Sequence, residues 1–214
     1  MSGPAPAARL LIVTAVAAER DAIHAHLPTD RSDVRVVVAG VGPACAAACA
    51  SAELARAGAD LVLAAGIGGG FAPLRAGDIA VASSLVFADL GADSPDGFLP
   101  VSQLGFGAER HYVEPKLAVE IADLTGGHLG TVLTVATVTG TAERAMQLAD
   151  RFPQAVAEGM EGAGVAAAAH LHGAPFAEVR AISNAVGPRD RTAWEIPRAL
   201  DALGAAVAAV VEAR

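Results

Sequence analysis

Residues 60–70 read DLVLAAGIGGG, and this stretch decides the fold class. After Asp60 the run to Ala65 is apolar without alternation, which predicts a strand buried on both faces. Gly66-Ile67-Gly68-Gly69-Gly70 is then expected to end that strand in a tight turn, where backbone amides can face a ligand. Working outward, similar runs recur at Leu10–Val16, Val34–Ala39, Asp78–Phe87, Leu129–Thr137, Ala155–Glu158 and Phe176–Ser183. Between them lie helical stretches over 17–27, Pro43 to Ala57, 115–125, Thr141–Arg151, 162–172 and Glu195–Ala213. Pro43 suits a first helical turn and Thr141 a helix cap. Strands alternating with helices predict an α/β fold of three layers, with a central mixed, mostly parallel sheet flanked by helices.

Residues 89–113 form the longest stretch without periodicity, rich in Gly, Ser and Pro, and are expected to be a functional loop. Residues 1–8 read as a flexible tail. There is no internal repeat and no linker, so 1–214 is expected to be a single domain.

Composition excludes several classes. With 53% hydrophobic and 18% charged residues, the 214-residue chain is not disordered. Its formal net charge of −8 repels phosphate backbones and anionic surfaces, and 4% aromatic residues leave few stacking platforms. Nucleic acid and membrane are therefore excluded as partners. Mean hydropathy is +0.46, yet Gly, Pro and charged residues interrupt every apolar run before the length of a membrane span. No basic segment precedes a long apolar one at the N-terminus, so no signal peptide is read and the cytoplasm is expected. Cys45 and Cys49 share one helical face and are expected to be small buried hydrophobes in a reducing compartment.

In sheets of this kind ligands sit beyond the carboxyl ends of the strands. That filter keeps Glu19, Gly66–Gly70, Thr139–Thr141, Met160–Glu161, Asn184 and Arg189–Arg191. The glycine runs do not match a dinucleotide fingerprint, because Phe71 and Cys45 stand where a third Gly is needed; a P-loop motif is absent. The six histidines show no zinc spacing and are expected at or near the surface or partly buried; His111, the one in the long loop, is kept as a candidate substrate contact. No metal and no cofactor is called for. Two carboxylates at strand ends of one sheet, Glu19 and Glu161, suit hydrolysis through a cationic sugar, one activating water and one holding the sugar.

Five segments in order carry a resemblance over almost the whole chain: TAVAAERDAI, GVGPACAA, DLVLAAGIGGGFAPLRAGDIAVAS, FPQAVAEGMEGAGVAAAAH and PFAEVRAISNAV. The chain resembles the purine nucleoside phosphorylase superfamily, and within it the methylthioadenosine/S-adenosylhomocysteine nucleosidases. ADLGADSPDGF and ISNAVGPRDRTAW look more specifically like the futalosine hydrolases, which release hypoxanthine from futalosine in a menaquinone pathway. The resemblance implies a nucleoside phosphorylase-like fold, a small nucleoside as substrate, and a homo-oligomer. It implies that Glu19 activates water, that Met160 and Glu161 hold the ribose, and that Ile67 and Gly68 lie beneath the sugar. Arg180 matches an arginine on the strand before the base site, and Asn184 matches the residue at purine N7.

Three departures refine this. The nucleosidases carry Asp at the place of Asn184; an Asn NH2 can serve N7 and O6 of a 6-oxopurine but faces the 6-amino group of adenine. Where they carry a stacking Phe this chain has Glu143, so stacking is expected from Phe106 or Tyr112 of the long loop. The phosphate loop of the phosphorylases is replaced by AVAAER, with Glu19 repelling phosphate, which favours hydrolysis. Arg110, His111, Arg189 and Arg191 are the cationic or polar choices for the carboxylate end of futalosine. The alternatives are a nucleosidase or phosphorylase acting on inosine or methylthioadenosine, and a non-catalytic nucleoside-binding protein.

Overall fold

Leu10 and Ile12 enter one hydrophobic cluster, Leu11 and Val13 another, and all four are buried. Side chains of a strand alternate between its faces, so this first strand must be covered on both. In the computed structural model, which describes residues 8–29 and 31–214, it is β1 (Ala8–Thr14). The tail expected over 1–8 lies outside the described residues, save Ala8, which opens β1.

The chain continues through α1 (Ala17–His26), β2 (Val34–Val38), α2 (Pro43–Ala57), β3 (Ala59–Gly70) and β4 (Ile79–Phe87). Then come β5 (Gly91–Ser94), β6 (Gly97–Pro100), β7 (Arg110–Tyr112), α3 (Pro115–Thr125), β8 (His128–Thr134) and α4 (Ala142–Arg151). It ends with β9 (Ala155–Gly159), α5 (Gly162–Leu171), β10 (Phe176–Ala185), a 3-10 turn at Arg191–Ala193 and α6 (Ile196–Glu212).

Among the described residues eight strands form one sheet in the order β10-β4-β8-β9-β3-β1-β2, with β7 on β4. β3 also pairs with β10, so β3, β10, β4, β8 and β9 close into a ring, and β1 and β2 extend from β3. The β1–β2, β1–β3, β3–β10, β4–β8 and β8–β9 pairings are parallel. β10–β4, β3–β9 and β4–β7 are antiparallel, so the sheet is mixed and mostly parallel. On one side α2 and α5 bury Ala46, Ala50, Leu54, Val165 and Ala169 against Leu11, Val13, Val62 and Ala64. On the other, Ile23 of α1 and Leu203, Val207 and Val210 of α6 pack on Leu10, Ile12, Leu61 and Leu63. The result is the expected three-layer α/β architecture.

Three expectations need correction. Gly66–Gly70 does not break the strand: β3 runs through Gly70, because β10 pairs with it from Val62 to Gly70 and β9 pairs at Gly69 and Gly70. Residues 89–113 are not one loop. They hold the β5–β6 hairpin, off the main sheet, and β7, which pairs with β4. Cys45 is exposed and Cys49 half-buried, because the buried stripe of α2 falls one position later, on Ala46, Ala50 and Leu54. The histidines are exposed, apart from half-buried His26 and His111.

Candidate active site

Glu19 shows how local sequence builds the site. β1 ends at Thr14 and α1 begins at Ala17, which places Glu19 in the first helical turn. Its Oε2 accepts the backbone N–H of Ala15 at 2.9 Å and of Val16 at 3.2 Å, satisfying donors a helix start leaves free. Its Oε1 reaches across to β3 and accepts the Ile67 N–H at 2.9 Å. Three backbone donors thus fix a carboxylate that is only 3% exposed.

Glu161 stands at the N-cap position of α5, just after β9, with its carboxylate turned away from the helix's own N–H groups. Its Oε1 accepts the Gly42 N–H at 3.1 Å and its Oε2 the Met160 N–H at 3.2 Å. Behind it lies Arg180 of β10, whose Nη1 stands 3.0 Å from Glu161 Oε2 and whose Nε donates to Glu178 Oε1 at 2.7 Å. Burial opposes the charge on Arg180, but Glu178, Glu161 and Glu19 outweigh it and hold the guanidinium above the ordinary arginine range. Burial also pushes the Glu178 carboxyl up, against the attraction of Arg180, and its Oε2 has no hydrogen-bond partner among the described residues. Gly66 lies where these groups meet. A Cβ there would stand 2.5 Å from Arg180 Nη1 and 2.7 Å from Glu19 Oε1, so only glycine lets the two carboxylate systems converge.

Both carboxylates open into one cavity of about 390 Å³, at the carboxyl ends of β1, β3, β8, β9 and β10. Ile67 and Gly68 form part of its wall, as do Met160 and Asn184. Asn184 Oδ1 accepts from Ser183 Oγ at 2.7 Å and its Nδ2 donates to the Ala185 carbonyl at 2.9 Å. One N–H of the amide is therefore committed, and one remains where two were expected for the base. Arg180 does not line the cavity but backs Glu161 from beneath.

Phe106 and His111 lie outside this chain's cavity. Phe106 is 80% exposed on the connection between β6 and β7. His111 is held in β7, its ring edge-on to Phe176 at 6.4 Å, and burial lowers its proton affinity. Neither Tyr112 nor Glu143 lines the cavity. Its aromatic side chain is Trp194, which sequence reasoning passed over; Arg189 and Arg191 lie over that ring, Cζ to centroid 5.3 and 5.8 Å. Glu158 was also missed. It is 6% exposed in the wall, accepting from Thr139 N at 2.8 Å and from Thr139 Oγ1, and burial raises its carboxyl against those hydrogen bonds. The usable signal was an acidic residue within an otherwise apolar strand.

The sequence profile of the Phosphorylase superfamily matches residues 9–213. The chain is 50% identical to the futalosine hydrolase of Streptomyces coelicolor, over 92% of this chain and 93% of that protein. It is 45% identical to the futalosine hydrolase of Acidothermus cellulolyticus, over 94% and 89%. In fold it is similar to the 5'-methylthioadenosine/S-adenosylhomocysteine nucleosidase of Neisseria meningitidis solved with methylthio-immucillin-A, with a TM-score of 0.83, 17% identity, and 96% and 99% of the chains covered. A pair of carboxylates in one strand-end cavity, within this fold and with relatives at half identity over nearly full length, leads to one assignment. The chain belongs to the phosphorylase superfamily.

Proposed function

We propose that the chain hydrolyses the N-glycosidic bond of futalosine, releasing hypoxanthine and dehypoxanthine futalosine, a step of menaquinone biosynthesis. The observation that carries this reading is the convergence of Glu19, Glu161 and Asn184 on one cavity, in a chain half identical to a futalosine hydrolase. The ribose lies over Met160 and Glu161, with Ile67 and Gly68 beneath it. As the C1'–N9 bond lengthens, positive charge grows on the sugar, and Glu161 supports it through the hydroxyls. Arg180 holds that carboxylate in place from behind. Glu19, as carboxylate, takes a proton from the water that adds to C1'. The bond electrons leave with the purine, whose N7 accepts the remaining N–H of Asn184; Glu19 then releases to solvent the proton it took from water, and the departed purine anion is protonated from solvent. Arg189 and Trp194 at the mouth supply a cation and an aromatic face for the carboxylate-bearing end of the substrate.

The same reading takes the described chain as one catalytic unit, cytoplasmic and homo-oligomeric. Free Cys45 and Cys49, the first exposed, support a reducing compartment. Phe106 and Tyr112, 80% and 74% exposed, support an interface between copies. Among the described residues no helix is long and apolar enough to cross a membrane. The test is incubation with futalosine and with inosine, each with and without phosphate, following free hypoxanthine. Release from futalosine without phosphate is expected. Phosphate-dependent release of a sugar phosphate, or ligand binding without base release, would overturn the reading.

A further inference from the structure

Glu158 is a buried carboxyl in the cavity wall that the proposed reaction leaves unused. A single N–H at Asn184 fits N7 of any purine, so on its own it separates 6-oxopurines from 6-aminopurines poorly. The two bases differ again at N1. Hypoxanthine carries N1–H, a donor, whereas N1 of adenine is a bare acceptor. Reading that edge for hypoxanthine takes an acceptor-only side chain set across the base from Asn184.

Glu158 meets this description. It pairs with Gly69 of β3, and Gly69 pairs with Asn184 of β10, so the three stand in one row across adjacent strands. Two strand spacings put the outer backbones about 10 Å apart, room for a flat base hydrogen-bonded at both edges. The middle residue has no side chain, and Val186 packs onto it: a Cβ on Gly69 would meet Val186 Cγ2 at 2.9 Å. The floor between carboxyl and amide is therefore apolar. An ionised carboxylate offers about four acceptor positions, and the Thr139 N–H and hydroxyl occupy one on each oxygen. Of the other polar side chains in the wall, Glu19 and Glu161 are held by backbone N–H groups. The Ser183 hydroxyl lies 3.1 Å from the Gly68 carbonyl and 2.7 Å from Asn184 Oδ1, and Arg189 is exposed at the mouth.

Resting on the reading of the cavity as a purine nucleoside site, we propose that Glu158 accepts the N1–H of the departing 6-oxopurine and so sets the preference for hypoxanthine over adenine. The experiment measures kcat/KM for futalosine and for its 6-amino analogue in the wild type, Glu158→Gln and Thr139→Val. Wild-type release of hypoxanthine is read first; its failure overturns the underlying reading irrespective of Glu158. Given release, Glu158→Gln is expected to lower the 6-oxo to 6-amino ratio at least about tenfold, because an amide presents donor and acceptor and can turn to serve either base. Thr139→Val removes one bond to Glu158 but leaves the acceptor in place, and its ratio is expected within about threefold of wild type. An unchanged ratio in Glu158→Gln overturns the proposal. So does an equal fall in Thr139→Val, which would reduce Glu158 to a pin for residues 135–141. Should Glu158→Gln not fold, Glu158→Asp, which keeps the charge and shortens the reach, is read instead through competitive inhibition by free hypoxanthine and adenine. The same tenfold convergence of the two bases is expected, and an unchanged inhibition ratio counts against the proposal.

Discussion

At the scale of single residues the site is a set of carboxylates with different surroundings and hence different work. Glu19 is tied to three backbone N–H groups, whereas Glu161 leans on Arg180. Replacing either by Gln keeps the volume and removes the charge, so each variant is expected to lose on the order of 10²-fold or more in kcat with folding intact. Near-normal single-turnover rates in a folded variant would remove that residue from the chemistry. Asn184→Asp is expected to reduce hypoxanthine release and to improve adenine release from matched nucleosides; an unchanged preference in paired assays refutes base reading at that position. Glu158 has a consequence for stability too. Burial raises its carboxyl, opposed by Thr139 and by Arg144 of α4 and reinforced by Asp89. The folded state therefore binds its proton more readily than the unfolded chain. Its contribution is fully present below the unfolded value of about 4.3, and is lost as pH rises through the raised folded value. Glu158→Gln is accordingly expected to gain stability relative to wild type as pH rises from acid to neutral. Parallel urea-denaturation curves across that range would contradict this.

At the scale of elements, β10 sets the charge balance beneath the site. Glu178 and Arg180 are two residues apart on one strand face, and both are fully buried. Glu178→Ala strips Arg180 of its shorter ion pair and is expected to cost about 3–5 kcal/mol of stability in chemical denaturation. A loss below about 1 kcal/mol would mean that Glu161 alone can hold the guanidinium. The strands were legible because burial on both faces writes them as unbroken apolar runs, as in LLIV and DLVLAA. The closure of β3 on β10 was not, since periodicity says nothing about which distant strand becomes a neighbour, and that pairing is what keeps the glycines extended. Among the described residues β5 and β6 pair only with each other, so no core face imprints alternation on them. Glu19, Glu161 and Asn184 could be found because they follow or end apolar runs. Glu158 was hidden inside such a run, and Trp194 lies beyond the strand ends in a connection without periodicity.

At the scale of the whole molecule, the ring of β3, β10, β4, β8 and β9 gathers strand ends from both halves of the chain, and the connection from β10 to α6 returns over the opening. That connection carries the single tryptophan of the sequence, half-buried at the cavity. A ligand filling the site must displace water from the exposed part of the indole and alter the environment set by Arg189 and Arg191. Intrinsic fluorescence should then report occupancy with one fluorophore and no label. Titration with hypoxanthine, or with futalosine on a catalytically silenced Glu19→Gln variant, is expected to give a saturable change in emission. Half-saturation by hypoxanthine should agree with its constant as a competitive inhibitor. An aromatic contact is worth about 0.5–1.5 kcal/mol beyond its buried area, so, on the proposed placing of Trp194 at the mouth rather than at the reacting bond, Trp194→Ala should raise KM for futalosine up to about tenfold while leaving kcat near wild type. Trp194→Phe keeps a stacking face and should restore KM without restoring the signal. A flat titration at concentrations that fully inhibit turnover would place the tryptophan outside the binding event. A fall in kcat at unchanged KM in Trp194→Ala would instead tie the connection to the chemical step, and the sugar end rather than the mouth would be where it acts.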